Sequence, residues 1–232
     1  MMSIEVRKPK PLPLLAKDGS KHVTDDFYNS LTSASGAFLF LVATFFLVRS
    51  AVLTNDHWKI LSFLIYGIST VCLFSMSAIH HAVDGTPKTN LLLLRLDFCA
   101  IYLMIAGNAT PFCLILIRNT FGWIILGLFW FLDLAGMILA GFFPVLPRWV
   151  NICIYIGISW LGLLILYPIY QQIREGLVLM LIGGIFYTVG AVLYFLQIPN
   201  PKPGRFGFHE IWHLFVLAGA LSHFCVMWFY LR

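Results

Sequence analysis

The sequence predicts an all-α integral membrane protein of seven transmembrane helices, with a cytoplasmic N-terminus and an external C-terminus. Three observations lead there. Charged residues make up only 11% of the 232 and apolar ones 60%, a balance outside that of soluble globular domains. The apolar residues fall into seven runs, each with about the 20 residues needed to cross a hydrocarbon core. The 15 Lys and Arg residues also divide unevenly between the alternate connections.

Residues 1–30 form a polar, basic tail, with Pro9, Pro11 and Pro13 in VRKPKPLPLL, and are expected to lack fixed structure. The first apolar run is too long for the core of a signal peptide, and no small-residue cleavage pattern follows it, so it is expected to be retained. Residues 31–232 form the helical domain, with runs at about 32–53, 58–81, 91–117, 121–142, 148–169, 176–196 and 209–231. Breakers separate them: TNDH at 54–57, DGTPKTN at 84–90, RNT at 118–120, FPVLPR at 143–148, QQIRE at 171–175 and QIPNPKPGRFG at 197–207. These connections are too short for a domain outside the membrane.

With the N-terminus inside, ten basic residues are cytoplasmic: Arg7, Lys8, Lys10, Lys17, Lys21, Lys88, Arg95, Arg148, Lys202 and Arg205. Five are external: Arg49, Lys59, Arg118, Arg174 and Arg232. Ten against five favours this orientation. The net charge of +5 is spent on topology and not on a nucleic-acid surface, because the basic residues lie in the tail and short connections. The five cysteines (Cys72, Cys99, Cys113, Cys153 and Cys225) are scattered through apolar runs with no C-x-x-C. They read as packing residues, not as a disulfide framework or a thiolate metal site.

The chemistry concentrates at one end of three runs. FHEIWHLFVLAGALSHF, at 208–224, carries His209 and His213 four residues apart, hence on one face of a helix and one turn apart. In the predicted topology His80 and His81, at the end of the second run, and Asp97, near the start of the third, lie at the same depth near the cytoplasmic face. Zinc is the natural occupant of such a set. It accepts three imidazole nitrogens and leaves a fourth position for water, which Asp97 is placed to orient or deprotonate. Histidines that merely bond to one another and to loop backbone are the plainer alternative. HEIWH also matches the H-E-x-x-H pattern of zinc proteases. On a helix, however, Glu210 faces away from the two histidines, and a solvated interfacial Glu explains it.

Three motifs together resemble the hemolysin III family, within the progestin and adipoQ receptor superfamily that includes the adiponectin receptors. SMSAIHH is similar to the family's Ser-x-x-x-His of the second helix, with Ser77 and His81 on the motif positions. RLDFCAIYLMIAGNATPF is similar to its Leu-Asp segment followed by Gly and Pro, with Asp97 on the acid. The His209–His213 stretch is similar to its last helix, and His223 also matches. The resemblance covers about residues 25–232. It implies a seven-helix fold in the cell (plasma or inner) membrane, with zinc held by His81, His209 and His213. It also implies a water bridged to Asp97 and a supporting place for Ser77. The sequence departs from the family at Ser33, where bacterial members usually carry His.

Two polar residues stand apart. Asp133, in FWFLDLAGM, reads as a structural hydrogen-bonding acid. His223 lies ten residues beyond His213, about 15 Å along a helix, too far to share its metal, and reads as an interhelical hydrogen-bonding residue. Two function classes follow. One is a zinc-dependent hydrolase of a lipid amide or ester, its substrate taken from the bilayer into the helix bundle. The other is a non-enzymatic sensor or cytolysin-like protein in which zinc pins helices together. Asp97 favours the first, because a structural zinc site is usually closed by a fourth protein ligand.

Overall fold

The computed structural model describes residues 26–143 and 146–232, apart from the side chain of Arg148. The reading of residues 1–25 as a tail therefore lies outside the described residues. Among those described, all regular structure is helical apart from one isolated bridge, Lys202 to Phe206. The α-helices are α1 (Asp26–Leu53), α2 (His57–Ala82), α3 (Pro87–Pro111), α4 (Thr120–Phe142), α5 (Arg148–Ser159), α6 (Leu166–Leu196) and α7 (Phe208–Val226).

The breakers act as local chemistry dictates. Asp56 caps α2, its carboxylate accepting from the backbone N–H groups of Trp58 and Lys59. Thr86 caps α3 with Pro87 in its first turn, where a missing N–H costs nothing. Asn119 caps α4 by accepting from Gly122 N. Pro111 ends the regular part of α3. It has no N–H to donate and its ring crowds the preceding turn, and the chain continues as a wider π-type turn over Phe112–Leu116.

Six helical stretches among the described residues are long and apolar enough to cross a membrane. The protein is a multi-pass, all-α membrane protein. One of the six, Trp149–Leu196, spans 48 residues. Straight, it would be about 72 Å long, more than twice the thickness of a hydrocarbon core. It is not straight. Ile173 leaves helical geometry, with φ −139° and ψ 59°. The Trp160 indole then donates to the Thr188 hydroxyl at 3.2 Å, although a straight helix would hold those residues about 42 Å apart. The chain therefore folds back within QQIRE, the connector between the apolar runs at 148–169 and 176–196. The first helix, conversely, already includes Asp26, six residues ahead of the apolar run at 32–53.

Helices α1, α2 and α3 pack in sequence, α4 packs on α3, and α7 packs between α6 and α1. The outer face of α1 exposes Phe38, Leu41 and Phe45, as a lipid-facing surface should. At the end remote from the histidine cluster, Arg118 lies over Trp58 and Arg232 over Trp228, with Trp123 edge-on to Trp58. Aromatic rings and arginines at that level match a membrane–water boundary.

Candidate metal centre

The last turn of α2 carries His81, and the first two turns of α7 carry His209 and His213. The ring centroids are 4.9 Å apart for His81–His209, 4.9 Å for His81–His213 and 5.0 Å for His209–His213. One nitrogen from each ring lies within 4.8 Å of the other two, and all three residues are buried. Such a group could hold a metal ion.

The hydrogen bonds behind the rings set which nitrogen faces inward. His81 Nδ1 lies 2.9 Å from Asp26 Oδ1. An ionised carboxylate can only accept, so Nδ1 carries a proton and Nε2 is the nitrogen left to face a metal. His213 Nδ1 lies 3.0 Å from Ser33 Oγ, and that hydroxyl donates to Ser77 Oγ at 3.2 Å. Ser33 has one proton and gives it to Ser77, so it must accept from His213, and His213 is also protonated at Nδ1. Its Nε2 is buried with no hydrogen-bond partner. A bare imidazole lone pair, buried and turned toward two other imidazoles, fits a divalent metal. Ser77 in turn sits against the Asp97 carboxylate. One polar chain thus runs from His213 through Ser33 and Ser77 to Asp97, linking α7, α1, α2 and α3. Two carboxylates beside the imidazoles also favour a cation electrostatically.

The remaining sequence candidates fall elsewhere. His80 is buried beside His81, 4.9 Å between centroids, but does not belong to the converging group. Glu210 is not a solvated interfacial residue: it is 1% exposed, and its Oε2 accepts from the backbone N–H of Gly207 at 2.7 Å. It closes the start of α7, where a carboxylate meets both an unpaired N–H and the positive end of the helix dipole. The H-E-x-x-H match thus reflects helix capping. Asp133 is fully buried on α4, and neither carboxylate oxygen has a partner. The cysteines are all free, and none joins the histidines.

Two residues of the centre escaped the sequence reading. Asp26 falls within the segment assigned to the tail, and Ser33 appears there only as a departure from a family pattern. The signal that could have found them is a polar stripe, Asp26, Asn29 or Ser30, and Ser33, at helical spacing on the entry to an apolar run.

The centre opens onto a cavity of about 740 Å³ bounded mainly by α2, α3, α5, α6 and α7, with Asp97 on its wall. This is the size of pocket that encloses a medium-sized organic ligand. Its lining is mostly apolar. Trp149, Leu163 and Phe195 line it and are also among the exposed residues of the bundle, so it reaches the lipid-facing surface between α5 and α6.

The sequence profile described as "Haemolysin-III related" matches residues 21–224. The chain belongs to that family. It is 36% identical over 217 residues to Hemolysin-3 of Bacillus cereus, covering 91% of this chain and 94% of that one. It is 33% identical over 210 residues to the Hemolysin-3 homolog of Bacillus subtilis (strain 168), covering 89% and 95%. A more distant relative is the monocyte to macrophage differentiation factor of Homo sapiens, 26% identical over 208 residues and covering 84% and 81%. Such relatives fit the wider progestin and adipoQ receptor superfamily.

Proposed function

We propose that this haemolysin-III related protein is a zinc-dependent hydrolase of a lipid amide or ester, working near the cytoplasmic face of the cell membrane. In this reading the chain crosses the bilayer seven times, N-terminus inside, with the two legs on either side of Ile173 as the fifth and sixth crossings. One plant relative, Heptahelical transmembrane protein 1 of Arabidopsis thaliana, carries that number in its name. The observation that carries the reading is the convergence of His81, His209 and His213, with Asp97 beside them on the wall of a cavity open to lipid.

His81, His209 and His213 would hold the ion, His81 steadied by Asp26 and His213 by Ser33. Zinc supplies Lewis acidity toward a carbonyl oxygen and makes water acidic enough to act near neutral pH. The rest falls to the protein. The apolar walls admit acyl chains from the side and exclude bulk water. Ser77 orients the Asp97 carboxylate, which takes the proton of the attacking water and later returns it to the leaving nitrogen or oxygen. Glu210 is not placed for this work, because one of its oxygens caps α7 at Gly207 and the residue does not line the cavity.

The test is direct. Full-length protein in phosphatidylcholine nanodiscs is assayed for metal content and for hydrolysis of a panel of N-acyl and O-acyl lipids, with and without a chelator. Turnover that disappears on chelation and returns with zinc supports the proposal. Full zinc occupancy without turnover on any lipid would leave the metal a structural pin for three helices.

A further inference from the structure

The first turn of α5 carries a polar side chain that the hydrolytic reading does not use. Asn151 is 8% exposed and lines the same cavity as the histidine centre. Its side chain makes no hydrogen bond among the described residues, yet neither polar atom of the amide is sealed off. Asn29 is the contrast: its Oδ1 and Nδ2 are both enclosed and unpartnered. An accessible carboxamide in a mostly apolar wall is a donor and an acceptor available to whatever enters the cavity.

The fold sets that amide level with Asp97. Arg95, near the start of α3, donates to the carbonyls of Gly141 and Phe143 at the end of α4. The next helix, α5, therefore sets out beside the start of α3 and runs parallel to it. Further along, the rings of Tyr102 on α3 and Tyr155 on α5 meet with centroids 4.6 Å apart. Asp97 lies five residues before Tyr102, and Asn151 four before Tyr155. On parallel helices these steps are about 7.5 Å and about 6 Å, so the two side chains reach the cavity at one level. Tyr155 is also an electrostatic neighbour of Asp97 and of Tyr194, whose ring stands 5.3 Å from that of His209. The face of α5 that bears Asn151 and Tyr155, one turn apart, thus borders the histidine centre.

We propose that Asn151 is a substrate-binding residue whose Nδ2–H donates to the oxygen of the lipid's reacting carbonyl and holds it more strongly as negative charge develops there. Chemistry narrows the choice of donor. An ionised Asp97 repels such an oxygen, so the donor is a separate group level with it. Among the described residues no Lys or Arg lines the cavity. The Ser77 hydroxyl is taken up by Asp97, and the Tyr155 phenol oxygen is sealed off. The Asn151 amide is accessible, uncharged and uncommitted, and a fixed amide donor of this kind acts most on the tetrahedral state. The carbonyl-binding role rests on Asn151 and the cavity; the reaction at that carbonyl rests on the hydrolase reading above.

The experiment separates binding from turnover by removing the metal. Full-length, chelated protein in phosphatidylcholine nanodiscs is loaded with a fluorescent fatty acid. It is then competed with methyl palmitate and with hexadecyl methyl ether, which matches the ester in length and lacks the carbonyl. The ester should displace the probe at about five-fold lower concentration than the ether, as one net hydrogen bond allows. Asn151→Leu and Asn151→Ala, neither of which loses an internal hydrogen bond, should both remove that preference. Ser159→Ala, on the same cavity-lining face of α5 two turns further along, should keep it. With zinc restored, both Asn151 variants should bind metal as the wild type does. Their kcat should fall by about 10²-fold while KM changes only a few-fold, because the donor acts most on the charged state. Equal displacement by ester and ether in the wild type would overturn the assignment, as would a preference that survives in the Asn151 variants. No binding of the fluorescent fatty acid would overturn both the assignment and the lipid reading. A preference that depends on Asn151, without turnover on any lipid, defeats the hydrolase and leaves the carbonyl-binding role standing, whereas turnover without that preference does the reverse.

Discussion

Ser33→Ala separates the machinery behind the metal from the metal ligands themselves. Ser33 Oγ accepts from His213 Nδ1 at 3.0 Å and donates to Ser77 Oγ at 3.2 Å. Both neighbours are buried, and alanine offers neither of them a bond. A buried group left without its partner costs about 1–3 kcal/mol, which should appear as a lower melting temperature of the metal-free protein. A second effect falls on the metal. His213 loses the contact that sets its tautomer and ring angle, and such contacts are worth about 10–100-fold in metal affinity. Each ten-fold weakening removes about 1.4 kcal/mol of the stabilisation that excess metal confers. The melting temperature should therefore fall further in the presence of zinc than in its absence. The assay is competition for zinc against a chelating dye, paired with melting curves at matched metal concentrations, with His80→Ala as a buried control beside the site. If Ser33→Ala bound zinc as tightly as the wild type and melted with the same metal-dependent gain, the assigned role of the His213–Ser33–Ser77 chain would be wrong.

Other expectations follow from the same geometry. His81→Ala, His209→Ala and His213→Ala should each lower bound zinc, measured by elemental analysis, whereas His223→Ala should retain it; equal zinc in the wild type and the triple variant would remove the site. Glu210→Gln keeps an oxygen for the Gly207 N–H, so it should cost less than about 1 kcal/mol and leave any turnover near the wild-type rate; loss of turnover with zinc retained would return Glu210 to consideration as a base. A reporter fused after Arg232 should read external and one ahead of Asp26 cytoplasmic; a cytoplasmic reading at Arg232 refutes the proposed orientation.

Much of this architecture is legible as hydropathy, because a membrane span must satisfy its backbone internally and clothe itself in apolar side chains. The connector at 171–175 shows where such reading loses resolution. QQIRE marks a break in the apolar pattern, yet the chain stays helical up to Ile173 and resumes after it, so one residue's backbone makes the reversal. The His209–His213 spacing is legible because both residues belong to one helix. Asp26 and Ser33 are not, since their meaning depends on α1 packing against α2 and α7, and polar residues at the end of an apolar run look alike whether they face headgroups or a buried imidazole. Glu210 misleads for the opposite reason: a local motif has two physical uses, and only the hydrogen bond to Gly207 separates them. The hydrogen bond between Asn108 on α3 and His223 on α7 joins residues 115 apart in the chain and leaves no trace in either local sequence.

The measurement that bears most directly on the proposed activity is Asp97→Asn, assayed for zinc and for turnover in the same preparation. Asparagine preserves the size of the side chain and its capacity to bond Ser77, and removes the ability to take a proton. Zinc content should stay at the wild-type level, because Asp97 lies outside the group of converging ligands. Hydrolysis of the most reactive lipid in the panel should fall by about 10²–10⁴-fold, the usual contribution of a general base. Turnover that persists in Asp97→Asn and in chelated protein would contradict the mechanism, whatever the substrate.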